Sequence, residues 1–498
     1  MPTRFTVPEL LALHATEQVA AALEVDVLLV IAPPQGEVWP ASLQALDEAL
    51  DGDLRALAEG GSASTPHLVA SRGRVAARRV MLARAAETLD GDAMRTLGAR
   101  LGRAVTGYEA GTLGLVAAVD EDALLALVEG VTLGVVPTVN LARDGVRRTD
   151  VESIHVAVEE ARTAQVQEAL RRLAVLASAR AWTRSLVDAP PNLVTPIVLA
   201  ESAAAAGRDV GMTVHVHDES WMEERGMGAL LGVAQGSSNP PRLVVLEHDP
   251  GVEGAPTLAL VGKGVTFDSG GLSLKERTAM PAMKGDMAGA AGVLGAAIAI
   301  AQLGVPVRLV AIAACVENMP DGAAYRPADV IHACDGTAIE IVSTDAEGRL
   351  ALADALLHAA TFEPDVTVDV ATLTGGAITA LGKGFAAAGF TNDETALDGM
   401  VRAGLETGER VWPMPIYEGY LDQISSRVAD LKNGGVRDGS AGIAAVFLRR
   451  FAPAHWVHLD IATVGFVEEE RGAWAPGATG FGVGLLTRFA EALATRRA

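Results

Sequence analysis

The amino-acid sequence predicts an α/β protein built from more than one domain. Short apolar runs alternate with helical patterns along most of the chain, several of those runs are almost continuously apolar, and 498 residues is more than a single core normally accommodates. Alternation of this kind argues for largely parallel sheets covered by helices. In order, residues 25–31 (VDVLLVI) read as a buried strand, 93–105 as a helix, 113–119 as a strand and 122–129 as a helix. From 159 to 187 the chain is rich in Ala, Arg and Leu without Gly or Pro, which predicts a connecting helix. The segment DAPPNLVTP that follows must end it, because proline forbids helix continuation and pushes its predecessor to extended geometry. Beyond 197 the predicted strands are 214–217, 243–246, 257–261, 307–313, 366–370 and 456–461. Such nearly continuous apolar runs suit strands covered on both faces, and ligands in such sheets bind beyond the strands' carboxyl ends.

Composition narrows the function. With 50% apolar residues the chain is no disordered protein, and a formal charge of −22 counts against a general nucleic-acid binder, whose phosphate contacts need a basic surface. Aromatics at 4% argue against single-strand stacking platforms. Cys315 and Cys334 are the only cysteines, too few for a disulfide scaffold and without zinc spacing, which suits a reducing compartment. The first residues lack the unbroken apolar core of a signal peptide, and the best membrane candidate, 293–316, contains Gln302, Pro306 and Arg308 and reads as helix, turn and buried strand. The expectation is a cytoplasmic protein with no membrane partner. Lysine occurs at only five positions, 263, 275, 284, 383 and 432, so arginine carries most of the positive charge. Three of the five fall between 263 and 284, and arginine cannot replace a lysine that must lose its proton.

Chemistry is concentrated in three segments. GKGVTFDSGGLSLK reads as a glycine-rich loop after the strand at 257–261, with Lys263, Asp268 and Lys275 projecting from it; it fits neither a Walker loop nor a dinucleotide fingerprint. MKGDMAGAAG places Asp286 in the first turn of an alanine-rich helix, where a carboxylate favourably meets the dipole. STDAEGRL, if extended, puts Asp345, Glu347 and Arg349 on one side of the chain between apolar flanks. Each segment alone has a plain structural explanation. Together, four carboxylates and two lysines suit a pair of divalent cations, since buried carboxylates need a partner. No His-Glu-x-x-His pair is present; His215 and His217 read as strand-surface residues and His458 as a satisfied core histidine. A serine elbow is absent around Ser269, and both cysteines lie in settings that suggest inert packing.

GKGVTFDSGGLSLK, MKGDMAGAAG, ENMPDGAAYRPADV and STDAEGRLALADAL, in that order, closely resemble the leucyl aminopeptidase family of two-metal exopeptidases, with flanking matches at LGVAQGSSNPPRLVVLEH, DVATLTGGAITALG and PGATGFGV. The resemblance covers roughly the last 300 residues. It implies a smaller amino-terminal domain with a macro-domain-like fold over 1–165, a connecting helix over 166–187 and a larger catalytic domain with a mixed central sheet over 188–498. It implies two divalent metals, zinc, manganese or magnesium: Asp268 and Glu347 shared by both, Asp345 completing one site partly through its carbonyl, and Lys263 with Asp286 completing the other. Lys275 is implied to stabilise the oxyanion, and Arg349 to hold a bicarbonate acting as general base towards a metal-activated water. Thr372, Leu373 and Gly375 are implied to position the substrate, and Met283, Thr372, Gly375 and the segment from Ala462 to Phe466 to line an apolar first pocket suited to Leu or Met. Short peptides would be the substrates of a homohexamer with inward-facing sites. Two positions depart from the family, which usually has Asn at Ser343 and Gly at Ala328. Some family members also bind DNA, which makes a regulatory or architectural DNA-binding role the alternative; nucleotide binding by the amino-terminal domain rests on fold analogy alone.

Overall fold

A computed structural model describes residues 4–60, 65–85, 87–136 and 151–495. The chain divides into two units: residues 9–178 with 470–475, and residues 1–8, 179–469 and 476–498. The boundary near 178 falls inside one long helix, Thr163–Asp188.

The first unit carries six strands, β1 (Ala12–Thr16), β2 (Val27–Ala32), β3 (His67–Val69), β4 (Arg79–Arg84), β5 (Thr112–Ala117) and β6 (Ser153–Ala157), with helices α1 (Ala41–Ala49), α2 (Asp53–Gly60), α3 (Gly91–Val105) and α4 (Glu121–Val135). The sheet order is β1-β6-β5-β2-β4-β3, and every pairing but β3–β4 is parallel. β2 is buried along its whole length because α1 and α2 cover one face and α3 and α4 the other. Asp90 and Asp120 start α3 and α4 by accepting the N–H groups of Ala93 and Ala123.

After α5 (Thr163–Asp188), the second unit runs through α6 (Pro196–Asp209), β7 (Thr213–His217), α7 (Glu219–Glu224), α8 (Gly228–Ala234), β8 (Arg242–His248), β9 (Thr257–Asp268), α9 (Ala288–Leu303), β10 (Arg308–Asn318), β11 (Val330–His332), β12 (Ala338–Glu340), α10 (Gly348–Ala360), β13 (Val366–Ala371), α11 (Gly375–Leu381), β14 (Ala387–Thr391), α12 (Glu394–Thr407), β15 (Val411–Pro413), β16 (Leu431–Lys432), α13 (Ser440–Arg449), β17 (Trp456–Asp460) and α14 (Val483–Thr495). Its main sheet has the order β15-β14-β17-β13-β9-β10-β8-β7. β17, β13, β9 and β10 are mutually parallel, whereas β14, β8 and β7 add antiparallel neighbours, so the sheet is mixed. The core on one face is built largely from α9 and α14, and that on the other from α8, α10 and α13.

The apolar stretch Met280–Leu303 is long enough to cross a membrane by length and composition, but 83% of its most apolar window is buried inside the protein. The segment 293–316 resolves into the end of α9, a turn and most of β10, as its Gln, Pro and Arg imply.

Gly262 and Gly264 do not open a loop; they lie inside β9, which continues to Asp268. Glycine is needed at 262 because a Cβ there would stand 2.4 Å from the Cα of Ala290 on α9. Lys263 and Asp268 are therefore strand residues, and only Lys275 lies on the loop, which turns at Gly270 and Gly271 with φ of +86° and +61°.

Ala328 occupies a turn that favours glycine. The Asp329 N–H donates to the Arg326 carbonyl at 3.0 Å, Pro327 sits at the second position, and Ala328 at the third has φ +77°. That is the left-handed position of a type II turn.

Candidate active site

The parallel strands deliver the site at their carboxyl ends. β9 ends on Asp268, residues 372–375 follow β13 into α11, and Ala462 follows β17. One cavity of about 370 Å³ is lined by Lys263, Asp268, Lys275, Met283, Asp286, Asp345, Glu347, Arg349, Thr372, Leu373, Gly375 and Ala462, which is every site residue expected from the sequence. Phe466, at the end of the expected 462–466 segment, lines it too, as do Ile378, Lys383 and Ser440, which carry no signal in spacing or motif.

Two ammonium groups hold the carboxylates apart. Lys263 Nζ lies 2.7 Å from Asp286 Oδ2 and 2.9 Å from Glu347 Oε1, and donates to the Thr372 carbonyl at 2.9 Å. Lys275 Nζ lies 2.7 Å from Asp268 Oδ2 and 2.5 Å from Asp345 Oδ1. Asp268, Asp286 and Glu347 are all buried, and each offers an oxygen within 4.8 Å of the others. Burial and the crowding of like charges push Asp268 up to about 6 and Asp286 up to about 8. Burial also opposes ionisation of Glu347, but Lys263 and Lys275 outweigh it and bring Glu347 down to about 2. For Lys263 itself burial favours the neutral amine; Asp286, Glu347 and Asp268 reverse that and hold the ammonium firmly.

The local geometry differs from two sequence expectations. Asp286 is not in the first turn of α9, which begins at Ala288; it closes the preceding 3₁₀ turn, where its Oδ1 accepts the Thr372 hydroxyl at 2.8 Å. Residues 345–349 are not extended either. Glu347 is the residue before α10, makes no side-chain cap, and turns its carboxylate into the cavity, while Arg349 lies in the first helical turn. Gly348 between them lets Lys263 pass, since a Cβ there would lie 2.4 Å from Lys263 Cε.

Supporting residues escaped the sequence reading. Asn318 Nδ2 donates to Asp268 Oδ1 and to the Thr344 carbonyl, at 2.8 and 2.9 Å. Asp460 accepts the Leu373 N–H at 3.1 Å, the Thr374 hydroxyl at 2.6 Å and the Ala462 N–H at 3.1 Å, so it ties the loops after β13 and β17 together. Asn433 accepts the Val342 N–H and donates to the Ser343 carbonyl, while its own carbonyl accepts Arg349 Nη1. Ser343 Oγ accepts the Asp345 N–H at 3.2 Å, which gives the hydroxyl a loop-fixing role. Asp460 and Asn433 act on backbone groups, a task that leaves no spacing signature.

Other candidates stay outside. Lys284 is not a lining residue and donates to the Asp188 carbonyl at 2.5 Å. His217 stacks on Trp221 beside His215 on β7. Cys315 and Cys334 are both pushed up to about 12, chiefly by burial, and are poor nucleophiles. His458 is buried but only half satisfied: Nδ1 pairs with Asp369 Oδ1 at 2.7 Å, whereas Nε2, between the Phe390 and Trp456 rings, has no hydrogen-bond partner among the described residues.

Residues 181–487, which hold this entire constellation, match the model of the cytosol aminopeptidase family's catalytic domain. The chain belongs to that family. By membership it is an enzyme of the aminopeptidase class. A probable cytosol aminopeptidase of Syntrophotalea carbinolica is 46% identical over 327 residues, 66% of each chain. The similarity also extends to the first unit: a probable cytosol aminopeptidase of Pseudomonas paraeruginosa is 37% identical over 93% of this chain and 95% of its own. Among solved structures, a tomato leucine aminopeptidase mutant superposes with a TM-score of 0.86 at 30% identity, covering 98% of both chains. The bottromycin maturation enzyme BotP, in complex with Mn, gives 0.79 at 33% identity, covering 94% of this chain and 99% of that one.

Proposed function

We propose that this cytosol aminopeptidase hydrolyses the first peptide bond of short peptides with two divalent metals, and that residues with Leu- or Met-like side chains are preferred. The observation that carries this reading is the buried trio Asp268, Asp286 and Glu347 with Lys263 and Lys275 bridging carboxylate pairs, a donor set that calls for more positive charge than two lysines supply. The residues fit metals on a further ground: Glu347 Oε2 is buried without a hydrogen-bond partner and Asp286 Oδ2 has only its ion pair with Lys263. Asp268 and Glu347 would be shared, with Lys263 and Asp286 on one side and Asp345 on the other; oxygen donors with one amine accept zinc, manganese or magnesium. BotP's complex with Mn is consistent with that choice.

When bound, the cations supply Lewis acidity, holding the substrate's free amine and carbonyl oxygen and lowering the pKa of a water. The chain's own residues do the rest. Lys263 must give up its proton to serve as a ligand, and its contact with two carboxylates keeps the amine in place while it does so. Lys275, mostly buried but open to the cavity, keeps its proton and offers N–H donors to the oxyanion that develops on the carbonyl oxygen. Arg349 is buried, with Nη1 held by Asn433 and Nε unpartnered, and burial brings it down to about 10; such a guanidinium suits a small anion, and bicarbonate there would supply a basic oxygen. The positive end of α10 favours an anion at the same place. Because Asp460 accepts the Leu373 N–H, Leu373 is left to meet substrate through its carbonyl. Met283, Ile378, Ala462 and Phe466 give the cavity its apolar wall.

A homohexamer in the cytoplasm completes the proposal; exposed Trp412, Tyr417, Leu421, Val428 and Val436 on the catalytic unit supply apolar surface for assembly. The deciding experiment compares Leu-Gly-Gly with its amino-acetylated form, using chelator-treated enzyme with and without manganese or zinc. Metal-dependent release of leucine from the free peptide alone is expected. Equal cleavage of the acetylated peptide would remove the amine-anchored mechanism.

A further inference from the structure

Three of the chain's five lysines line the same cavity, and the third has no task in hydrolysis. Lys263 and Lys275 sit among the carboxylates at the floor. Lys383 is different: its side chain is 39% exposed, and its Nζ pairs at 2.7 Å with Glu468, itself 65% exposed. A lysine in a surface pair of this kind exchanges one carboxylate for another at little cost.

Along the chain, α11 separates it from the floor residues. The helix starts directly after residues 372–374, which touch the carboxylate cluster through Lys263 and Asp286. Gly375, Ile378 and then Lys383, two residues past the helix end, line the cavity in succession. Seven helical residues rise about 10 Å, and three extended residues span about 10 Å. A cavity of about 370 Å³ also suits a peptide of two or three residues.

Charge fixes the orientation. Asp268, Asp286, Asp345 and Glu347 crowd the floor and repel a carboxylate, while a free amine is attracted there. A short peptide with its amine at the floor therefore turns its carboxylate away from those groups, and Lys383 is an exposed lining cation outside them.

We propose that Lys383 is a specificity-determining residue that pairs with the free carboxylate of di- and tripeptides. The proposal deepens the aminopeptidase reading above and rests on it. Metal-loaded enzyme is assayed on Leu-Gly-Gly and on Leu-Gly-Gly amide, and the acid-to-amide ratio of kcat/KM is taken for each protein. Wild type prefers the acid by about three- to tenfold, mainly through KM, and the preference shrinks as salt rises. Lys383→Met brings the ratio to about one, Lys383→Arg keeps it, and Glu468→Gln widens it by removing the competing carboxylate. Each ratio is internal to one protein, so a general loss of activity cancels. A wild-type ratio of one, or an unchanged ratio in Lys383→Met, overturns the proposal while the aminopeptidase reading stands. Failure of the metal-loaded wild type to cleave either peptide overturns both.

Discussion

Replacing Lys263 by Met removes one ammonium from the cavity floor and keeps nearly the same buried volume. That ammonium is 2.7 Å from Asp286 and 2.9 Å from Glu347, and its side chain is only 3% exposed. Removing one partner of a buried pair costs about 3–5 kcal/mol, because the other charge stays buried without compensation. The catalytic unit has about 320 residues, and an unfolding entropy of roughly 2.1 cal/mol/K per residue converts that loss to a fall of about 4–7 °C in its midpoint. The assay is thermal unfolding in chelator, monitored by calorimetry, across pH 5 to 9 and then with manganese added. The carboxylates set the pH trend. Burial and neighbouring charge hold Asp268 near 6 and Asp286 near 8, above the 3.8 of an unfolded aspartate. The folded chain then binds more protons than the unfolded one, so their contribution to stability is fully present at low pH and is lost as pH rises through about 6 and 8. Without Lys263 these groups hold protons more tightly still, which makes the variant's deficit larger at pH 8 than at pH 5. Manganese restores positive charge and narrows the gap. A midpoint equal to wild type at pH 8 in chelator would refute the reasoning, since Lys263 would then not be the counter-ion of the cluster.

Three further outcomes are expected. Glu347→Gln removes a shared carboxylate, so metal content measured by mass spectrometry and activity should fall together; full activity with normal metal content would sink the ligand assignment. Lys275→Met should leave metal content intact and lower kcat by about 10²–10³, as for loss of an oxyanion donor, and unchanged turnover would show that Lys275 takes no part in the transition state. Ala328→Gly relieves a left-handed alanine, a gain of about 1–2 kcal/mol set against about 0.4–1 kcal/mol for glycine's freer unfolded chain. Urea unfolding should therefore show a small net stabilisation, and a destabilised variant would mean that the turn at 326–329 is not strained.

The strands at 243–246, 307–313, 366–370 and 456–461 were legible from apolar residues that cover on both faces demands: β8 and β10 hold unbroken apolar runs, 243–246 and 309–316, while β13 and β17 interrupt theirs with the buried polar residues Thr367, Asp369 and His458. β9 was legible only in its first half. Gly262, Lys263 and Gly264 break the apolar run, and a lysine at the centre of a buried strand makes sense only beside Asp286 and Glu347, which arrive from distant segments. His458 shows the same limit from the other side: its burial was readable in WVHLD, whereas its unpartnered Nε2 depends on which rings flank it.

By itself the sequence determined the α/β class and the chemical identity of the floor, because periodicity follows from burial and because carboxylates and lysines set among small apolar residues imply charges that must find partners. Only the tertiary structure decided how they are paired, with Lys263 bridging Asp286 and Glu347, and Lys275 bridging Asp268 and Asp345. It also decided that Asp460, Asn318 and Asn433 hold the surrounding loops, and that Lys383 stands at the far end of α11. The physical reason is that pairing energies depend on distance and burial in three dimensions, while spacing along the chain records only what a single helix or strand can bring together.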